Sequence, residues 1–235
     1  MKSGEGHTII SNFKSDDTLY DIFYRLNTGS VPLSTQELRQ VLHKGYFADY
    51  LVEVTNTLQP LHRVLGTSGP DNRLKDVEIL LRFIAIVLFG TRYEGNLKKF
   101  LDETMELVTA DWINSKPLVE AVYRDMNRAI GNLTKVLGIG LVGRKFVDGA
   151  WETRFNRVLF EVEAFYFRQI PDAKIAGGKR KFVAGLQRLF ADPEFRASVE
   201  ATTKTKERYE LRFRRFQKLV NDSFNTNIDE LPVVA

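Results

Sequence analysis

Apolar residues recur along most of this chain at the three-and-four spacing that lines up one side of an α-helix over a core. That period predicts helices near 46–58, 60–66, 71–89, 94–110, 116–137, 151–169, 179–191 and 203–224. The breaks fall at Gly66-Thr67-Ser68-Gly69-Pro70, at Gly90, from Gly138 to Gly149 and at Gly177-Gly178. The third helix is expected to be the most enclosed, since Leu80, Phe83, Ile84, Val87 and Leu88 leave it little polar surface. Earlier in the chain, Asp16 or Asp17 offers an N-cap to a helical turn set with Leu19, Ile22, Phe23 and Leu26 on one face, ending at Asn27-Thr28-Gly29. Pro32 keeps the backbone extended up to Ser34, where Ser34-Thr35-Gln36-Glu37 forms a capping box and opens a helix that stops near Gly45. Period-two alternation is scarce. Thr8-Ile9-Ile10 is the best strand candidate, with a small hairpin within 139–148 as the other place for extended chain. No repeat of 20 to 50 residues recurs, which argues against a helical solenoid.

Composition narrows the classes. With 235 residues, 43% hydrophobic and 27% charged, the chain supports one substantial core or two small ones. Cysteine is absent, so disulfides, thiolate zinc sites and cysteine nucleophiles are excluded, and a reducing compartment fits. His7, His43 and His62 contain no pair at helical ligand spacing, which argues against a histidine metal centre. The longest apolar stretch, Ile79 to Phe89, is broken by Arg82 and is shorter than the roughly 20 residues a membrane span needs. The opening Met1 to His7 lacks the apolar core of a signal peptide, so a cytoplasmic location without a membrane partner is expected.

Charge is unevenly placed. Residues 1–120 carry a balance of −3 and the remainder +7. Between Lys204 and Lys218, seven basic residues face two acids. Arg208, Arg212 and Arg215 follow i, i+4, i+7, which reads as a basic face opposite Tyr209, Phe213, Phe216 and Val220. With Lys218 and the Lys179-Arg180-Lys181 run, this face is the candidate for nucleic-acid backbone contact, the alternative being a solvated helix surface. Two further motifs carry chemistry on paper. Gly138-Ile139-Gly140-Leu141-Val142-Gly143 matches the dinucleotide fingerprint, but it follows a helix end with no βαβ pattern around it, so a flexible connector or hairpin is the competing reading. Asp148, Asp172 and Lys174 have the residue types of a Mg²⁺-dependent nuclease, against the reading of polar loops.

The segment Ile22-Phe23-Tyr24-Arg25-Leu26-Asn27-Thr28-Gly29-Ser30-Val31-Pro32-Leu33-Ser34-Thr35-Gln36-Glu37-Leu38-Arg39 closely resembles a block of the ParB-like GmrSD-type proteins of modification-dependent restriction and phage defence. Three shorter blocks follow in the family's order: Asp76 to Phe83, Asn156 to Glu161, and Phe195 through Arg212-Phe213. The chain resembles the C-terminal two-thirds of such a protein. It lacks the Asp-Gly-Gln-Gln-Arg motif that the family associates with nucleotide binding and hydrolysis, and it lacks the His-Asn-His nuclease domain of complete systems.

The resemblance implies a mainly α protein. Residues 1–45 would be the remnant of a ParB-like α/β domain, with one leftover strand, and residues 46–235 a helical domain ending in a basic helix. Arg25, Asn27, Thr28, Gly29 and Arg39 are then the residues expected nearest a bound nucleotide, although Asn-Thr-Gly is equally natural as a helix end and turn. Glu37 is expected to cap rather than to act as an acid, and Asn156 and Arg157 to support the core interface. The implied role is a non-catalytic subunit or fragment of an antiphage restriction system, binding no cofactor alone, with NTP and Mg²⁺ belonging to the complete assembly. Its implied partners are a second polypeptide supplying the missing ParB-like region, a nuclease subunit and DNA; an orphan strand edge motivates the first of these. Two rivals remain open: a self-contained nuclease or NTPase using Asp148, Asp172 and Lys174 or the Gly138 loop, and a protein-interaction module or inhibitor whose C-terminal arginines meet acidic side chains.

Overall fold

A computed structural model describes residues 32–200 and 205–229. The Thr8–Ile10 strand and the turn set Leu19 to Leu26 lie outside the described residues. Among those described, ten α-helices and one two-stranded antiparallel sheet make a mainly α fold: α1 Thr35–Leu42, α2 Tyr46–Thr55, α3 Pro60–Leu65, α4 Lys75–Phe89, α5 Leu97–Ala110, α6 Trp112–Leu137, β1 Phe146–Val147, β2 Ala150–Trp151, α7 Arg157–Phe167, α8 Asp172–Ala191, α9 Pro193–Glu200 and α10 Lys206–Phe224.

Local chemistry sets the helix starts. The Ser34 hydroxyl accepts from the Glu37 N–H at 3.1 Å while Glu37 Oε2 accepts from the Ser34 N–H, so the capping box forms as read. Asn96, Asn156 and Thr205 cap α5, α7 and α10 through their side-chain oxygens. Gly66 ends α3 in the left-handed region at φ 76.

Four expectations need correction. The helix expected from 116 begins at Trp112 and carries Pro117 as its sixth residue, so its ladder lacks the one bond an N–H there would make to the Ile113 carbonyl. The hairpin lies at 146–151 rather than within 139–148, since Asp148-Gly149, with φ of 51 and 80, supplies the two left-handed residues of a tight turn. That hairpin also shortens the helix expected over 151–169. The fourth is Gly177-Gly178, which does not break a helix but lies inside α8. A Cβ on Gly178 would sit 2.1 Å from Phe224 Cδ1, so this glycine marks a close helix–helix approach. A further short helix, α9, which the apolar period alone does not mark, lies between the expected 179–191 and 203–224 helices, in the block where the family resemblance places closing helices.

Side by side, the two glycines make a paired test. Gly178→Ala should destabilise the protein by about 1–3 kcal/mol through overpacking against Phe224. Gly177→Ala, with nothing within 4 Å of its new Cβ, should stabilise by roughly 0.5–1 kcal/mol through helix propensity. Urea denaturation of both variants checks the opposite signs.

The core is built around α4 and α7. Every α7 residue from Leu159 to Phe167 is buried, including Glu161 and Glu163. Around it, Phe167 and Phe182 meet edge-on at 5.0 Å, Phe165 and Phe213 at 5.3 Å, and the Tyr166 hydroxyl donates to the Phe213 carbonyl at 3.0 Å. A helix buried on all sides carries no amphipathic stripe, and both of its carboxylates must find partners inside.

Candidate functional site

An open cleft of about 1270 Å³ runs between the start of α1, one side of α4, the start of α5, the segments flanking the hairpin, the start of α7 and the end of α9. Arg39, Arg73, Lys75, Arg82, Lys98, Lys145, Arg154 and Arg157 line it against Glu78, Glu152 and Glu200, over a floor that includes Leu97, Leu101, Phe155 and Val199. Cationic donors outnumber carboxylates, so the donor set suits phosphate or carboxylate oxygens rather than a metal ion.

Ion pairs hold most of these side chains in place. At one end, Arg73 Nε meets Glu37 Oε2 at 3.0 Å, and the Ser34 hydroxyl donates to the Arg73 carbonyl at 3.0 Å. Glu37 is thereby committed to capping and to Arg73, in keeping with its expected role. On the floor, Glu78 Oε1 accepts from Arg157 Nη1 at 3.1 Å and forms an ion pair with Arg82 Nε at 3.0 Å, while Arg82 Nη1 reaches Glu161 Oε1 at 2.5 Å. Burial pulls the Arg82 guanidinium down, but Glu161 and Glu78 outweigh that and hold it above its ordinary value. At the far end, Lys145 Nζ bridges Glu200 Oε1 at 2.7 Å and Glu152 Oε1 at 3.1 Å; burial opposes its charge and these two carboxylates more than restore it. Asn156 caps α7 with its oxygen and donates its amide N–H to the Val199 carbonyl at 2.8 Å, tying the loop to α9. Arg154 is exposed and makes no ion pair among the described residues.

The structure redistributes the sites expected from sequence. Arg25, Asn27, Thr28 and Gly29 lie outside the described residues. Arg39 reaches neither solvent nor an open phosphate position: it is 1% exposed, with Nε donating to Asp102 Oδ1 at 2.6 Å and Nη1 to Gln36 Oε1 at 2.7 Å, and it borders the cleft as a fixed charge.

The basic face of α10 is not one face. Arg212 follows Tyr209 by three residues and precedes Phe216 by four, which places it inside the apolar stripe, and it is 3% exposed. Its guanidinium lies 5.0 Å from the Tyr209 ring centroid, and burial lowers its pKa against the pull of Glu161. Arg215 pairs with Asp192 at 3.5 Å and Glu194 at 3.4 Å, and Arg208 donates to the Glu194 carbonyl at 3.3 Å, so both bind α10 to the start of α9. Lys218 is exposed. Lys179, Arg180 and Lys181 are exposed on α8, with Lys179 Nζ donating to the Lys135 carbonyl at 3.1 Å. Because Gly178 meets Phe224 and Gly185 meets Leu219, α8 and α10 run antiparallel. The lysine run therefore lies by the C-terminal end of α10, about 24 Å along the helix from Arg208 at helical rise, and the two clusters do not merge.

The remaining motifs take up local structural contacts. Gly138 ends α6 and leads into a 3-10 turn, Ile139–Leu141, rather than a phosphate loop. Gly143, at φ 67, is required because a Cβ there would lie 2.5 Å from the Phe155 ring. Asp148 forms the hairpin turn, Asp172 accepts from Asn132 Nδ2 at 3.0 Å, and Lys174 donates to the Asn225 carbonyl. Among the described residues no group of three or more His, Asp and Glu is placed to hold a metal ion, and no helix is long and apolar enough to cross a membrane. Sequence reading missed Arg73, Lys98, Lys145 and Arg154 as cleft residues; Lys145 and Arg154 flank the Asp148-Gly149 turn, and that turn signal would have placed them on opposite arms of one loop. Compared with known proteins, the chain matches no family model, no curated protein and no solved structure.

Proposed function

We propose that this chain is a non-catalytic helical component of a modification-dependent antiphage restriction system, acting in the cytoplasm, and that its cleft receives phosphate groups of a nucleotide or nucleic acid held jointly with a partner polypeptide. One observation carries this reading: all four segments of the family resemblance meet at the same cleft. Ser34, Thr35 and Arg39 come from the first, Glu78 and Arg82 from the second, Asn156, Arg157 and Val158 from the third, and Val199 and Glu200 from the fourth. Segments so far apart in sequence that each resemble one family and each contribute to the lining of one basic depression suggest a shared binding task. The first of them also leads directly from Asn27-Thr28-Gly29: Gly29 is five residues before Ser34, within about 18 Å of it at the greatest extension of the chain. On this reading any NTP and its Mg²⁺ belong to the complete assembly, and the chain's own contribution is fixed positive charge.

The test is fluorescence anisotropy with a labelled 20-base-pair duplex at several salt concentrations. Binding should weaken with salt at a log–log slope near −0.9 per phosphate contact. The double variant Arg154→Glu, Arg157→Glu should lose tenfold or more in affinity and flatten the slope, whereas Lys181→Glu should change affinity less than about twofold. A slope that follows Lys181 rather than Arg154 and Arg157 would move the contact to α8. Binding of polyglutamate as tight as that of DNA would favour an acidic protein partner.

A further inference from the structure

Behind the hairpin wall of the cleft lies a carboxyl that the binding chemistry does not use. The wall is closed at its base by the Asn156 N–H donating to the Gly143 carbonyl at 2.8 Å, and one step further out by the Glu152 N–H donating to the Lys145 carbonyl at 2.8 Å. Gly143 then donates its own N–H to Glu163 Oε2, on α7, at 2.7 Å. Glu163 is wholly buried, and its other oxygen, Oε1, has no hydrogen-bond partner. An acceptor role for Oε2 leaves Oε1 as the oxygen that carries a proton.

Few charges are placed to answer this carboxyl. Arg144 is the one that acts on it, and its guanidinium is already spent on the Val142 carbonyl at 2.9 Å and the Val64 carbonyl at 2.9 Å, with its face 5.2 Å from the Phe155 ring centroid. On the helices packed around α7, Arg82 of α4 bonds Glu161 at 2.5 Å, Arg212 of α10 lies over the Tyr209 ring at 5.0 Å, and Asp125 of α6 meets Arg168 at 3.5 Å. Burial therefore prevails over the Gly143 N–H and Arg144, and pushes the Glu163 carboxyl up to about 8.

We propose that Glu163 is a proton-operated latch, holding the 143–156 wall of the cleft against α7 while its carboxyl is neutral. Loss of the proton creates a charge with one N–H and one committed arginine to meet it. That charge is relieved when the wall parts from α7 and water reaches Oε1, or when Arg144 leaves the Val64 and Val142 carbonyls. Either movement shifts the segment that presents Lys145, Arg154 and Phe155 to the cleft.

Linkage fixes the direction. The latched form keeps its proton up to about 8, whereas an opened, hydrated carboxyl releases it near the ordinary 4.5. Opening therefore grows about tenfold per pH unit between those values and levels off above them.

Hydrogen exchange read by mass spectrometry on the full chain, corrected for intrinsic rates, tests this without any ligand, so its outcome is independent of the phosphate-binding reading. Peptides covering 143–156 should open about fiftyfold more at pH 8 than at pH 6, with α4 peptides unchanged, and Glu163→Gln should abolish the difference. A wild-type wall with pH-independent opening, or a Glu163→Gln variant that keeps the wild-type rise, would overturn the proposal. Should Glu163→Gln fail to fold, a ¹³C carboxyl titration of the wild type decides: one glutamate titrating near 8 supports the latch, and all of them titrating in the ordinary carboxylate range removes it.

Discussion

Arg82→Ala is expected to destabilise the protein by about 3–5 kcal/mol, because removing one member of a buried ion pair leaves the other charged and enclosed. The stranded groups are Glu161, which loses its 2.5 Å bond, and Glu78, which loses a 3.0 Å contact. The deletion also enlarges a cavity of about 40 Å³ bordered by Arg82, Tyr93, Glu161, Tyr209 and Arg212. At this chain length such a loss corresponds to a fall in Tm of about 10 °C. Arg212 cannot simply replace Arg82, since its guanidinium is engaged with the Tyr209 ring and the Ser198 carbonyl at 3.5 Å. Removing both charges with Arg82→Met plus Glu161→Leu should recover part of the loss, as hydrophobic replacement of buried pairs often does. Recovery should be incomplete, because Arg212 then loses the acid that offsets its burial. Differential scanning calorimetry of the single and double variants measures both steps; a single variant within 1 kcal/mol of wild type would show that the network carries little of the stability.

The helical body was legible because its period is strong. The capping box at Ser34, the enclosure of Leu80 and Phe83 and the Gly66 stop each follow from chemistry within four residues of sequence. Where the reading missed, a tertiary contact decided the matter. Gly177-Gly178 has the composition of a break, and only Phe224, far along the chain, shows why α8 needs a residue without a side chain there. Arg212 has the charge of a surface residue, yet its register beside Tyr209 and Phe216 overrides that charge, and Glu161 meets it inside. The cleft was hidden for the same reason. Its basic residues are single positions on several elements, so no run of charge announces them, while in the run that is visible, Arg208 and Arg215 are engaged by the start of α9 and Arg212 by the core.

Glu163→Gln should make the protein more stable at neutral pH, an unusual direction for a change at a wholly buried position. The sign follows from the proton count. With the folded carboxyl raised to about 8 from 4.5, the folded state holds one more proton than the unfolded state throughout that interval, so stability contributed below it is lost as pH rises and the loss is complete just above 8. At about 1.4 kcal/mol per pH unit the deficit reaches about 3 kcal/mol at pH 7 and about 5 kcal/mol above pH 8. Glutamine keeps an oxygen for the Gly143 N–H and places a neutral amide where the proton-bearing Oε1 was, so it escapes this loss. The wild-type Oε1–H has no acceptor either, so only the second N–H of the amide counts against the variant, a cost of about 1–3 kcal/mol that subtracts equally at every pH. The variant is therefore expected to lie below wild type at pH 4, to draw level between about pH 5 and 7 and to exceed it at pH 8.5. Urea denaturation across that range, with unchanged m-values, reads the crossover directly. Parallel stability curves for the two proteins would show that the folded carboxyl ionises in the ordinary range despite its burial.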